Sequence, residues 1–424
     1  MLTLLEDLTA RGLVYQQTHA EAFAEHLAQP RRVYCGFDPT SDSLTVGNLL
    51  ALQLLARFQR AGHTPVIILG GGTGLIGDPS GKSAERPTLD ASEISANVLS
   101  QSRIFRRLFN FDGPNAALVL NNGDWLSKLG FLEALRDIGK HFSVNMMIQK
   151  DSVRERLHGR EQGISYTEFS YMLLQAYDFL YLLDHNSVTV QVAGSDQWGN
   201  IVAGVDLIRR LRKTEVFGFT SPLITKSDGT KFGKTESGAI WLTAERTSPY
   251  QFYQFWVNTA DDEVEKYLKV FTHFSLGEIA ELLGQQASDP AARPAQRALA
   301  SHMTELLHGP EARLQAEQAS AALFSGEVRE LPEALLEEVL ASAPSSAHTL
   351  SSLTGLGVPA VDLLVEAGVA SSKRQAREFL SNGAILFNGN KIGAEAAVTQ
   401  SDLLHGKLLL IRRGKKAWHV TRWS

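Results

Sequence analysis

The sequence predicts an α/β fold built on a parallel sheet, followed by a helical segment and a small, basic α+β module. Strand-like and helix-like segments alternate over about the first two hundred residues, which is typical of a parallel sheet with crossover helices. Residues 248–325 instead show helical periodicity with little strand signal. Residues 351–424 hold ten Lys and Arg against five Asp and Glu, although the whole chain of 424 residues carries a net charge of −5. This uneven charge predicts a separate basic module.

The elements of the predicted sheet follow in order along the chain. Val33–Phe37 and Thr64–Leu69 have the composition of strands, and an amphipathic helix at 47–61 lies between them. A third strand at 188–192 alternates valine with polar residues and precedes a helix at 201–211. Because ligands bind beyond the carboxyl ends of parallel strands, three loops are expected to form a site. These loops are 38–47, 70–86 and 193–200.

Composition excludes several classes of protein. Hydrophobic residues make up 44% and charged residues 21% of the chain, which excludes a mostly disordered chain. No run approaches the ~18 consecutive apolar residues of a membrane span, so no membrane partner is expected. The single Cys35 excludes an intrachain disulfide and a multi-cysteine zinc site, and it fits a reducing cytoplasm. The N-terminal residues include early acids and lack a basic stretch, so a secretory signal is not expected.

Changes in composition along the chain predict four segments. The sheet-forming part includes a loop rich in Lys and Gly at 226–235, and the helical part follows it. A linker is expected before the basic module, because residues 341–348 are small, polar and interrupted by proline. The four segments are 1–247, 248–325, 326–350 and 351–424.

A glycine-rich loop follows the second predicted strand. Gly72–Gly77 fits the G-x-G-x-x-G pattern of dinucleotide-binding loops, but Pro79 comes where that pattern needs a helix, so binding of NAD or FAD is not expected. A Walker A loop is excluded because Ile76 occupies the position of its first glycine. A flexible turn remains the alternative to a backbone cradle for a charged ligand. The charged residues that favour the cradle are Asp78, Lys82 and Arg86.

The turn that follows the first predicted strand also suits an anionic ligand. Ser43 or Thr45 can cap the helix that begins near Gly47, and a helix N-terminus offers unpaired N–H groups to phosphate. Simple capping is the alternative for this turn.

A polar stripe is predicted on one helix. Tyr171, Gln175 and Asp178 stand at i, i+4 and i+7, so they share one helical face. Such a stripe is alternatively the solvated face of an amphipathic helix. Since the remaining residues from 172 to 180 are apolar, a polar cavity is favoured over solvent.

Four segments together resemble the bacterial-type tyrosyl-tRNA synthetases, which are class I aminoacyl-tRNA synthetases. The resemblance extends in order over the whole chain. It implies a Rossmann-like catalytic domain at 1–247, a helical anticodon-side domain at 248–325 and an alpha-L RNA-binding domain at 351–424. The four segments are Val33-Tyr-Cys-Gly-Phe-Asp-Pro-Thr, Gly74-Leu-Ile-Gly-Asp-Pro-Ser-Gly-Lys, Gly194-Ser-Asp-Gln-Trp-Gly-Asn and Lys231-Phe-Gly-Lys-Thr.

The resemblance implies a pocket for substrate tyrosine. In this family the positions of Tyr34 and Asp178 hydrogen-bond the phenolic hydroxyl, and Gln191 lies in the same pocket. A phenylalanine substrate would leave these buried groups unpaired, which is costly. The ammonium group is bound at positions that correspond here to Asp78, Tyr171 and Gln175.

The resemblance also implies where ATP binds and reacts. Tyrosine carboxylate attacks the α-phosphate and pyrophosphate leaves, so catalysis consists of positioning and charge stabilisation. An exposed Lys/Gly turn is the alternative for the loop at 226–235. The implied catalytic residues are Thr40, Thr45, Lys82, Arg86, Lys231, Lys234 and Thr235. The implied ATP- and adenylate-binding residues are Gly36, Asp38, Gly47, Asn48, Asp196, Gln197 and Lys234.

The chain departs from the family at the start of its first long helix. Thr45-Val46-Gly47-Asn48 stands where the family usually has His-Ile-Gly-His. Gly47 still permits close approach of adenine and Asn48 keeps a side-chain donor, whereas Thr45 cannot carry the charge of an imidazole. Ala193 is a milder departure, since it replaces a glycine. We therefore expect that phosphate contacts near Thr40 and Thr45 are weaker than in the family, or that lysines compensate for their loss.

RNA binding is expected at the basic module and at one helix of the catalytic part. Two short helices at 359–367 and 372–380 and a hairpin at Asn388-Gly389 resemble the alpha-L RNA-binding fold. A solvated charged face is the alternative for these basic residues. The candidate tRNA-binding residues are Arg209, Arg210, Lys373, Arg374, Arg377, Arg412 and Arg413.

The predicted function is therefore tyrosine–tRNA ligase, with L-tyrosine, ATP and tyrosine tRNA as partners. Mg²⁺ is expected with ATP, and no protein-bound metal is expected. Family resemblance implies a cytoplasmic homodimer with contacts around residues 131–166. A catalytically impaired paralogue that binds RNA is the alternative, favoured by Thr45 and the basic tail. A tryptophan-specific relative is a weaker alternative, because Tyr34 and Asp178 suit a phenol.

Overall fold

The structure is a computed structural model that describes residues 2–80, 89–150, 153–154, 157, 163–227, 229–230, 232–235, 238–341, 343–414 and 417–424. These residues form two compact units. The first unit comprises Met1–Thr247 with Asn258–Leu307, and the second comprises Ser248–Val257 with His308–Ser424. Among the residues described, no helix is both long and apolar enough to cross a membrane.

The first unit is built on a six-stranded sheet with helices around it. Its strands are β1 (Gln16–Gln17), β2 (Arg32–Phe37), β3 (Thr64–Leu69), β4 (Leu118–Asn121), β5 (Val188–Gly194) and β6 (Phe217–Ser221), and a small hairpin adds β7 (Lys234–Thr235) and β8 (Gly238–Ala239). Its helices are α1 (Leu4–Ala10), α2 (Ala20–His26), α3 (Val46–Arg60), α4 (Ala91–Leu108), α5 (Gly123–Leu126), α6 (Phe131–Glu133), α7 (Val144–Ile148), α8 (Tyr166–Asn186), α9 (Trp198–Arg212), α11 (Val264–Phe271), α12 (Leu276–Ser288) and α13 (Pro294–His308).

The sheet has the order β1-β6-β5-β2-β3-β4, and all strands except β1 are parallel. The parallel α/β sheet and the three strands expected at 33–37, 64–69 and 188–192 are thereby confirmed. The chain runs from β2 outward to β4, then returns to β5 on the other side of β2. The carboxyl ends of β2 and β5 therefore meet where the strand order reverses, which is where ligands bind in such sheets.

Burial of both sheet faces explains the continuous apolar strands. Val66, Ile67 and Ile68 of β3 are all buried, as is typical of a strand covered by helices on both sides. One core cluster joins β2 and β5 to α8 and α9, and Tyr34 and Phe179 pack within it at a ring distance of 5.2 Å. The core thus holds in place the two strands and two helices that carry several of the predicted site residues.

The helices at 258–307 belong to the sheet-containing unit because buried arginines attach them to it. Arg57 of α3 donates hydrogen bonds to the carbonyls of Lys269, Val270 and Thr272. Arg11 donates to the carbonyls of Lys269 and Phe274. These two guanidinium groups satisfy carbonyls at the end of α11, which have no partner within the helix. The predicted segment 248–325 is helical, but its helices divide between the two units.

The second unit combines helices with a five-stranded sheet. Its helices are α10 (Pro249–Val257), α14 (Pro310–Ser325), α15 (Glu333–Val339), α16 (Ala360–Glu366) and α17 (Lys373–Ser381). Its strands are β9 (Ser345–His348), β10 (Val358–Pro359), β11 (Ile385–Phe387), β12 (Asn390–Lys391), β13 (Ala397–Val398), β14 (Leu408–Arg413) and β15 (Ala417–Trp423). The main sheet has the order β12-β11-β14-β15-β9, which confirms an α+β module.

The segment 326–350 was expected to be a linker, but it is folded into the second unit. It contains α15 and β9, and β9 pairs in parallel with β15. Leu336 and Val339 of α15 are buried in a cluster with Leu410 and Val420 of the sheet. Within the small polar stretch that suggested a linker, Ser345–His348 form an edge strand instead, and pairing with the sheet compensates for their poor hydrophobic content.

The hairpin expected at Asn388-Gly389 is confirmed and makes a close contact. Both residues have positive φ, at 46° and 84°, as a two-residue hairpin turn requires. A Cβ atom on Gly389 would collide with the backbone of Gly326, which follows α14. The hairpin therefore packs directly against the end of this helix, and a larger residue at 389 would separate the two.

Candidate active site

The candidate site lies at the carboxyl ends of the parallel strands. Asp38 follows β2, the glycine-rich loop follows β3, Asn122 follows β4 and Asp196 follows β5. The polar stripe of α8 faces the same region, because Tyr171 contacts Asp38 and Asp178 contacts Asn122. The structure therefore brings together residues from five separate segments of the chain.

Asp178 is a buried carboxyl group held by two donors. Asn122 Nδ2 donates to its Oδ2 at 2.8 Å, and Trp125 Nε1 donates to its Oδ1 at 2.7 Å. Burial raises the pKa of Asp178 to about 7, and these two hydrogen bonds partly oppose that rise. The nearby carboxyl group of Asp38 raises it further. Since each carboxylate oxygen can accept two hydrogen bonds, Asp178 retains acceptor capacity for a ligand.

Two other buried polar groups beside Asp178 have no hydrogen-bond partner among the described residues. They are the hydroxyl of Tyr34 and the Oε1 atom of Gln191. Tyr34 and Gln191 are directly paired in the β2–β5 ladder, so their side chains lie side by side on one face of the sheet. Leaving a buried polar atom unpaired costs about 1–3 kcal/mol. A ligand with a polar group at this point would remove that cost.

A hydrogen-bonded network connects Asp178 with Asp38. Asn122 Nδ2 also donates to Thr73 Oγ1 at 3.0 Å, and Thr73 Oγ1 donates to Asp38 Oδ1 at 2.8 Å. The hydroxyl of Tyr171 donates to the other oxygen of Asp38 at 3.1 Å. The network thus connects the carboxyl groups of Asp38 and Asp178 through two intervening side chains.

Negative charge surrounds the hydroxyl of Tyr171. Burial and the carboxyl groups of Asp38 and Asp78 raise the pKa of Tyr171 well above its ordinary value. Asp78 is itself buried, and Gln197 Nε2 donates to its Oδ2 at 2.7 Å. Gln175, one turn along α8 from Tyr171, is half-buried. This end of the pocket suits a cation, since two carboxylates and amide and phenol oxygens converge there.

Close packing explains the glycines that begin the loop after β3. A Cβ atom on Gly70 would collide with the carboxylate of Asp38, and one on Gly71 would collide with the amide of Asn121. The backbone N–H of Gly72 donates to Asn122 Oδ1 at 2.8 Å. These glycines let the loop approach the polar network, so the flexible-turn alternative does not describe this part of the loop.

The end of β2 is open beside the pocket. Gly36 is exposed, and a Cβ atom added to it would meet no described atom within 4 Å. Thr40, on the turn between β2 and α3, is also exposed, as are Gly47 and Asn48 in the first turn of α3. A ligand bound by the buried pocket can therefore extend over Gly36 towards the start of α3.

Thr45 and Asn48 bond to each other at the start of α3. Both the backbone N–H and the hydroxyl of Thr45 donate to Asn48 Oδ1, each at 3.0 Å. The structure thereby supports the capping alternative for Thr45. The first N–H of the helix is also paired, since Val46 N–H donates to the carbonyl of Ile240, while Gly47 and Asn48 remain exposed beside it.

Several predicted catalytic residues lie outside the described residues. These are Lys82, Arg86 and Lys231. Lys234 and Thr235 form β7, which pairs with β8, and their side chains are not described. Asp196 is exposed directly after β5.

The candidate tRNA-binding residues of α9 form ion pairs on the helix itself. Arg209 and Arg210 both contact Asp206, at 2.6 and 2.8 Å, and both remain exposed. Such exposed pairs contribute little to stability and exchange readily with other anions. The geometry leaves these arginines able to contact phosphate.

The candidates in the second unit divide into two groups. Arg412 donates to the carbonyls of Leu323 and Phe324 at the end of α14, and Arg413 donates to the carbonyl of Val369. These two arginines therefore have roles in the fold. Arg413 is nevertheless exposed, as are Arg374 and Arg377 on α17, and Lys373 beside them pairs with Asp362 at 2.7 Å.

Three residues of the site are missing from the sequence-based prediction: Thr73, Asn122 and Trp125. Two of them follow β4, a four-residue strand that the sequence pattern did not indicate. The short apolar run Leu118–Leu120, followed by two asparagines, is the signal that could have found them. Among the residues the structure describes, no group of three or more His, Cys, Asp or Glu side chains could hold a metal ion.

Known proteins resemble this chain over its whole length. A family model for class I tRNA synthetases (W and Y) matches residues 26–325, and a model for the tyrosine–tRNA ligase SYY-like C-terminal domain matches residues 338–421. Tyrosine–tRNA ligase 1 of Bacillus cereus is 51% identical over 427 residues, which cover 99% of this chain and 100% of the relative. Tyrosine–tRNA ligase of Bacillus caldotenax is 50% identical over 430 residues, which cover all of both chains.

A solved structure supports the same relationship. A C-terminally truncated mitochondrial tyrosyl-tRNA synthetase from Aspergillus nidulans has a TM-score of 0.69 and 32% identity, covering 76% of this chain and 95% of that one. The mixed α/β sheet and the C-terminal module agree with these matches. Because a family model spans most of the chain and full-length relatives share about half of its residues, the chain belongs to the class I tyrosyl-tRNA synthetases.

Proposed function

We propose that this chain activates L-tyrosine with ATP and transfers it to the 3′ end of tyrosine tRNA. One observation carries the assignment of the substrate pocket. The buried hydroxyl of Tyr34 and the Oε1 atom of Gln191 have no described partner, and they lie beside the carboxyl group of Asp178. A phenolic hydroxyl both donates and accepts, so it can satisfy these groups together.

The phenol of the substrate is placed at Tyr34 and Asp178. The carboxylate of Asp178 accepts a hydrogen bond from the phenolic hydroxyl, and the hydroxyl of Tyr34 donates a hydrogen bond to the phenolic oxygen. Asn122 and Trp125 hold the carboxylate in position from the other side. Phenylalanine would bury the same protein groups without a partner, so it is rejected at this step.

The ammonium group of tyrosine is placed at the opposite end of the pocket. Asp78 and the hydroxyl of Tyr171 provide acceptors there, and Gln175 provides an amide oxygen. Asp38 accepts from Tyr171 and adds negative charge nearby. This arrangement directs the substrate carboxylate towards the open end of β2 at Gly36.

Activation then takes place over the end of β2. An oxygen of the substrate carboxylate attacks the α-phosphorus of ATP, the bond to the bridging oxygen breaks, and pyrophosphate leaves. The open surface at Gly36 accommodates the adenylate, with Asp38, Gly47, Asn48, Asp196 and Gln197 as its proposed contacts. In the second step a ribose hydroxyl of tRNA attacks the tyrosyl carbonyl, and AMP leaves.

Positive charge stabilises the departing pyrophosphate in this proposal. The groups assigned to it are Lys82, Arg86, Lys231, Lys234 and Thr235, together with Thr40 and Thr45 at the start of α3. ATP enters as its Mg²⁺ complex, so the metal ion arrives with the substrate. Since Thr45 is engaged by Asn48, the lysines are expected to supply most of the charge stabilisation.

The proposal includes a homodimer formed through the segment around residues 131–166. Phe131 and Leu132 expose 68% and 79% of their surface, and Val144, Met146 and Tyr166 are also exposed. Large exposed apolar side chains concentrated in one segment are typical of a protein interface. Leu132→Asp should therefore yield a monomer in sedimentation, whereas Leu314→Asp, at an exposed leucine of α14, should remain dimeric.

The division of labour between the units is part of the same proposal. The sheet-containing unit activates tyrosine, and helices of the segment 248–325 contact the anticodon side of tRNA. The basic module at 351–424 binds RNA through exposed cations such as Arg374 and Arg377. The enzyme works in the cytoplasm, where tRNA is charged for translation.

Pyrophosphate exchange tests the proposed function. The enzyme should incorporate labelled pyrophosphate into ATP only when tyrosine is present, and it should then charge tyrosine tRNA. RNA binding without exchange would instead support the impaired paralogue. Exchange that depends on tryptophan would support the tryptophan-specific alternative. The intact pocket favours the ligase over both.

A further inference from the structure

Residues 238–247, which follow the Lys/Gly-rich loop, are attached to the turn that begins α3. Val46 N–H donates to the carbonyl of Ile240 at 3.0 Å, and Leu242 N–H donates to the carbonyl of Leu44 at 2.8 Å. Thr45 and Trp241 face each other in this short antiparallel bridge. Backbone hydrogen bonds therefore join the turn assigned to the ATP phosphates to the segment that follows the loop assigned to pyrophosphate.

Side chains reinforce this attachment on its outer side. Arg246 Nη1 contacts Asp42 Oδ1 at 2.9 Å, and the guanidinium of Arg246 lies over the ring of Trp241 at 4.2 Å from its centroid. Thr243 Oγ1 also donates to Ser43 Oγ at 3.0 Å. Asp42, Trp241 and Arg246 thus form a connected group, which we call the clasp.

The attachment continues into the loop itself. Ile240 N–H donates to the carbonyl of Gly233, which has a positive φ of 80°. A Cβ atom on Gly233 would collide with the side chain of Val46, so the loop backbone rests directly on the first turn of α3. Next to it, Phe232 is anchored between Tyr267 and Phe271 at ring distances of 4.9 and 5.2 Å. The position of Gly233 therefore depends in part on Ile240, which belongs to the segment 238–247.

We propose that Asp42 and Arg246 are positioning residues for tyrosine activation, which act by holding the end of the Lys/Gly-rich loop against the start of α3. Neither residue is assigned to a substrate atom. Their effect passes through the backbone of 238–247 to Gly233 and so to the neighbouring loop residues. This inference rests on the proposed function, because it uses the role of that loop in stabilising pyrophosphate.

The Asp42–Arg246 pair is expected to affect catalysis more than stability. The side chains of Arg246 and Asp42 are 41% and 52% exposed, and an exposed ion pair contributes little to the free energy of unfolding. A displacement of catalytic groups by a fraction of an ångström has a larger effect on the rate of the chemical step than on folding. Loss of the clasp should therefore reduce the rate of activation and leave the melting temperature nearly unchanged.

The test compares Arg246→Gln and Asp42→Asn, singly and together, with the unaltered enzyme. Stopped-flow measurement gives the rate of adenylate formation and the Kd of tyrosine in the same experiment. Each single variant should lower the rate about fivefold, equivalent to ~1 kcal/mol of activation free energy. The double variant should be no slower than Arg246→Gln alone, because that change already breaks the contact with Asp42. Arg246→Lys should recover part of the rate.

The matched control is Arg212→Gln. Arg212 pairs with Asp184 at 2.6 Å and has a similar exposed fraction of 43%, but this pair joins α8 to α9 and does not touch the loop. Its rate should equal that of the unaltered enzyme. An unchanged rate in Arg246→Gln would overturn the inference. The inference would also be overturned if the slower variant had a melting temperature several degrees lower, or if its affinity for tyrosine fell about as many-fold as its rate.

The same experiment distinguishes the two levels of the account. If the unaltered enzyme forms no adenylate from tyrosine and ATP, the proposed function fails, whatever the variants do. If it forms adenylate normally and the clasp variants match it, only the inference about Asp42 and Arg246 fails.

Discussion

The proposed tyrosine pocket and the basic C-terminal module place their polar residues in opposite ways. In the pocket, Tyr34 and Gln191 are buried and present atoms that no described residue satisfies. In the module, Arg412 and Arg413 donate to backbone carbonyls of their own unit, and only part of the basic set faces solvent. The pocket therefore keeps polar groups for a ligand, whereas the module uses some of its cations to fold.

This difference shows how far burial constrains the role of a polar residue. An unpaired polar group in the core is costly, so its presence at Tyr34 points directly to a ligand. A guanidinium group on the surface can bind carbonyls at a helix end, a carboxylate or a phosphate with similar free energy. Variants of the pocket should therefore affect one reaction step strongly, and variants of the module should have smaller, separable effects.

The largest effect is expected for Asp178→Ala, which should abolish tyrosine activation. The change removes the acceptor for the substrate phenol and also leaves the donors of Asn122 and Trp125 unpaired in the core. Pyrophosphate exchange at saturating ATP measures the loss. Near-normal exchange would contradict the pocket assignment. Tyr34→Phe serves as the milder control, since it removes one hydroxyl and keeps the packing with Phe179.

A smaller loss is expected when one donor to Asp178 is removed. Trp125→Phe deletes the Nε1 donor but preserves an aromatic ring for the stack with Tyr181, which lies 4.5 Å away. A hydrogen bond to a charged acceptor is worth about 1.5–3 kcal/mol, so the KM for tyrosine should rise about 10- to 100-fold. Because the pKa of Asp178 also rises further, the defect should be smaller at pH 9 than at pH 7. A defect of equal size at both values would contradict this explanation.

Tyrosine binding should depend on pH through Asp178. Its pKa of about 7 in the empty pocket lies above that of an ordinary carboxyl group, so the carboxylate acceptor predominates only above pH 7. The Kd for tyrosine should be about tenfold higher at pH 6 than at pH 8. Asp38 and the donors Asn122 and Trp125 face this group and set its pKa. Fluorescence titration checks the prediction, and Asp178→Asn should abolish this dependence.

The stability of the empty enzyme should change in the opposite direction. A carboxyl group whose pKa is raised by folding contributes stability below its unfolded pKa, and that contribution disappears as the pH rises through about 7. Melting temperatures of the unaltered enzyme and of Asp178→Asn should therefore converge at low pH and differ most above pH 7.

A severalfold effect on tRNA is expected for the exposed cations of α17. Arg374→Ala combined with Arg377→Ala should lower kcat/KM for tRNA and reduce the dependence of binding on salt, because fewer phosphates are neutralised. Pyrophosphate exchange should be unchanged. A loss in both reactions would contradict the separation of the two regions.

The smallest functional effect is expected at Arg412. Arg412→Gln removes donors to the carbonyls of Leu323 and Phe324 and a stacking contact with Trp418, 5.4 Å from the ring centroid. The melting temperature should fall by a few degrees, corresponding to ~1–2 kcal/mol. The salt dependence of tRNA binding should stay as in the unaltered enzyme. A changed salt dependence would place Arg412 on the RNA surface after all.

Local pattern was sufficient to predict much of the fold. Alternation and composition located β2, β3 and β5, and the hairpin at Asn388-Gly389 was predicted from turn chemistry alone. Periodicity could not reveal β4, which has four residues, or the strand pairing that orders 345–348. The run Leu118–Leu120 is only a short local signal for β4, and the pairing of 345–348 depends on β15, which lies far away along the chain.

The sequence could indicate site residues that belong to a recognisable pattern. It could not indicate residues whose role depends only on tertiary contacts. Tyr34 stands in a motif and Asp178 in the polar stripe at 171–178, and the family resemblance assigns both to one proposed pocket. Asn122 and Trp125 stand in no such motif, and their importance comes from two hydrogen bonds across more than fifty residues. The division of the arginines in the basic module likewise depends on which carbonyls lie within reach.

The most direct test of the central claim is the binding of L-tyrosine and L-phenylalanine to the unaltered enzyme and to Tyr34→Phe, measured by calorimetry. The account predicts strong preference for tyrosine in the unaltered enzyme and a preference reduced about tenfold in the variant, whose pocket has lost one partner of the phenol. Equal affinity for the two amino acids in the unaltered enzyme would contradict the assignment of Tyr34, Gln191 and Asp178 to the phenolic hydroxyl.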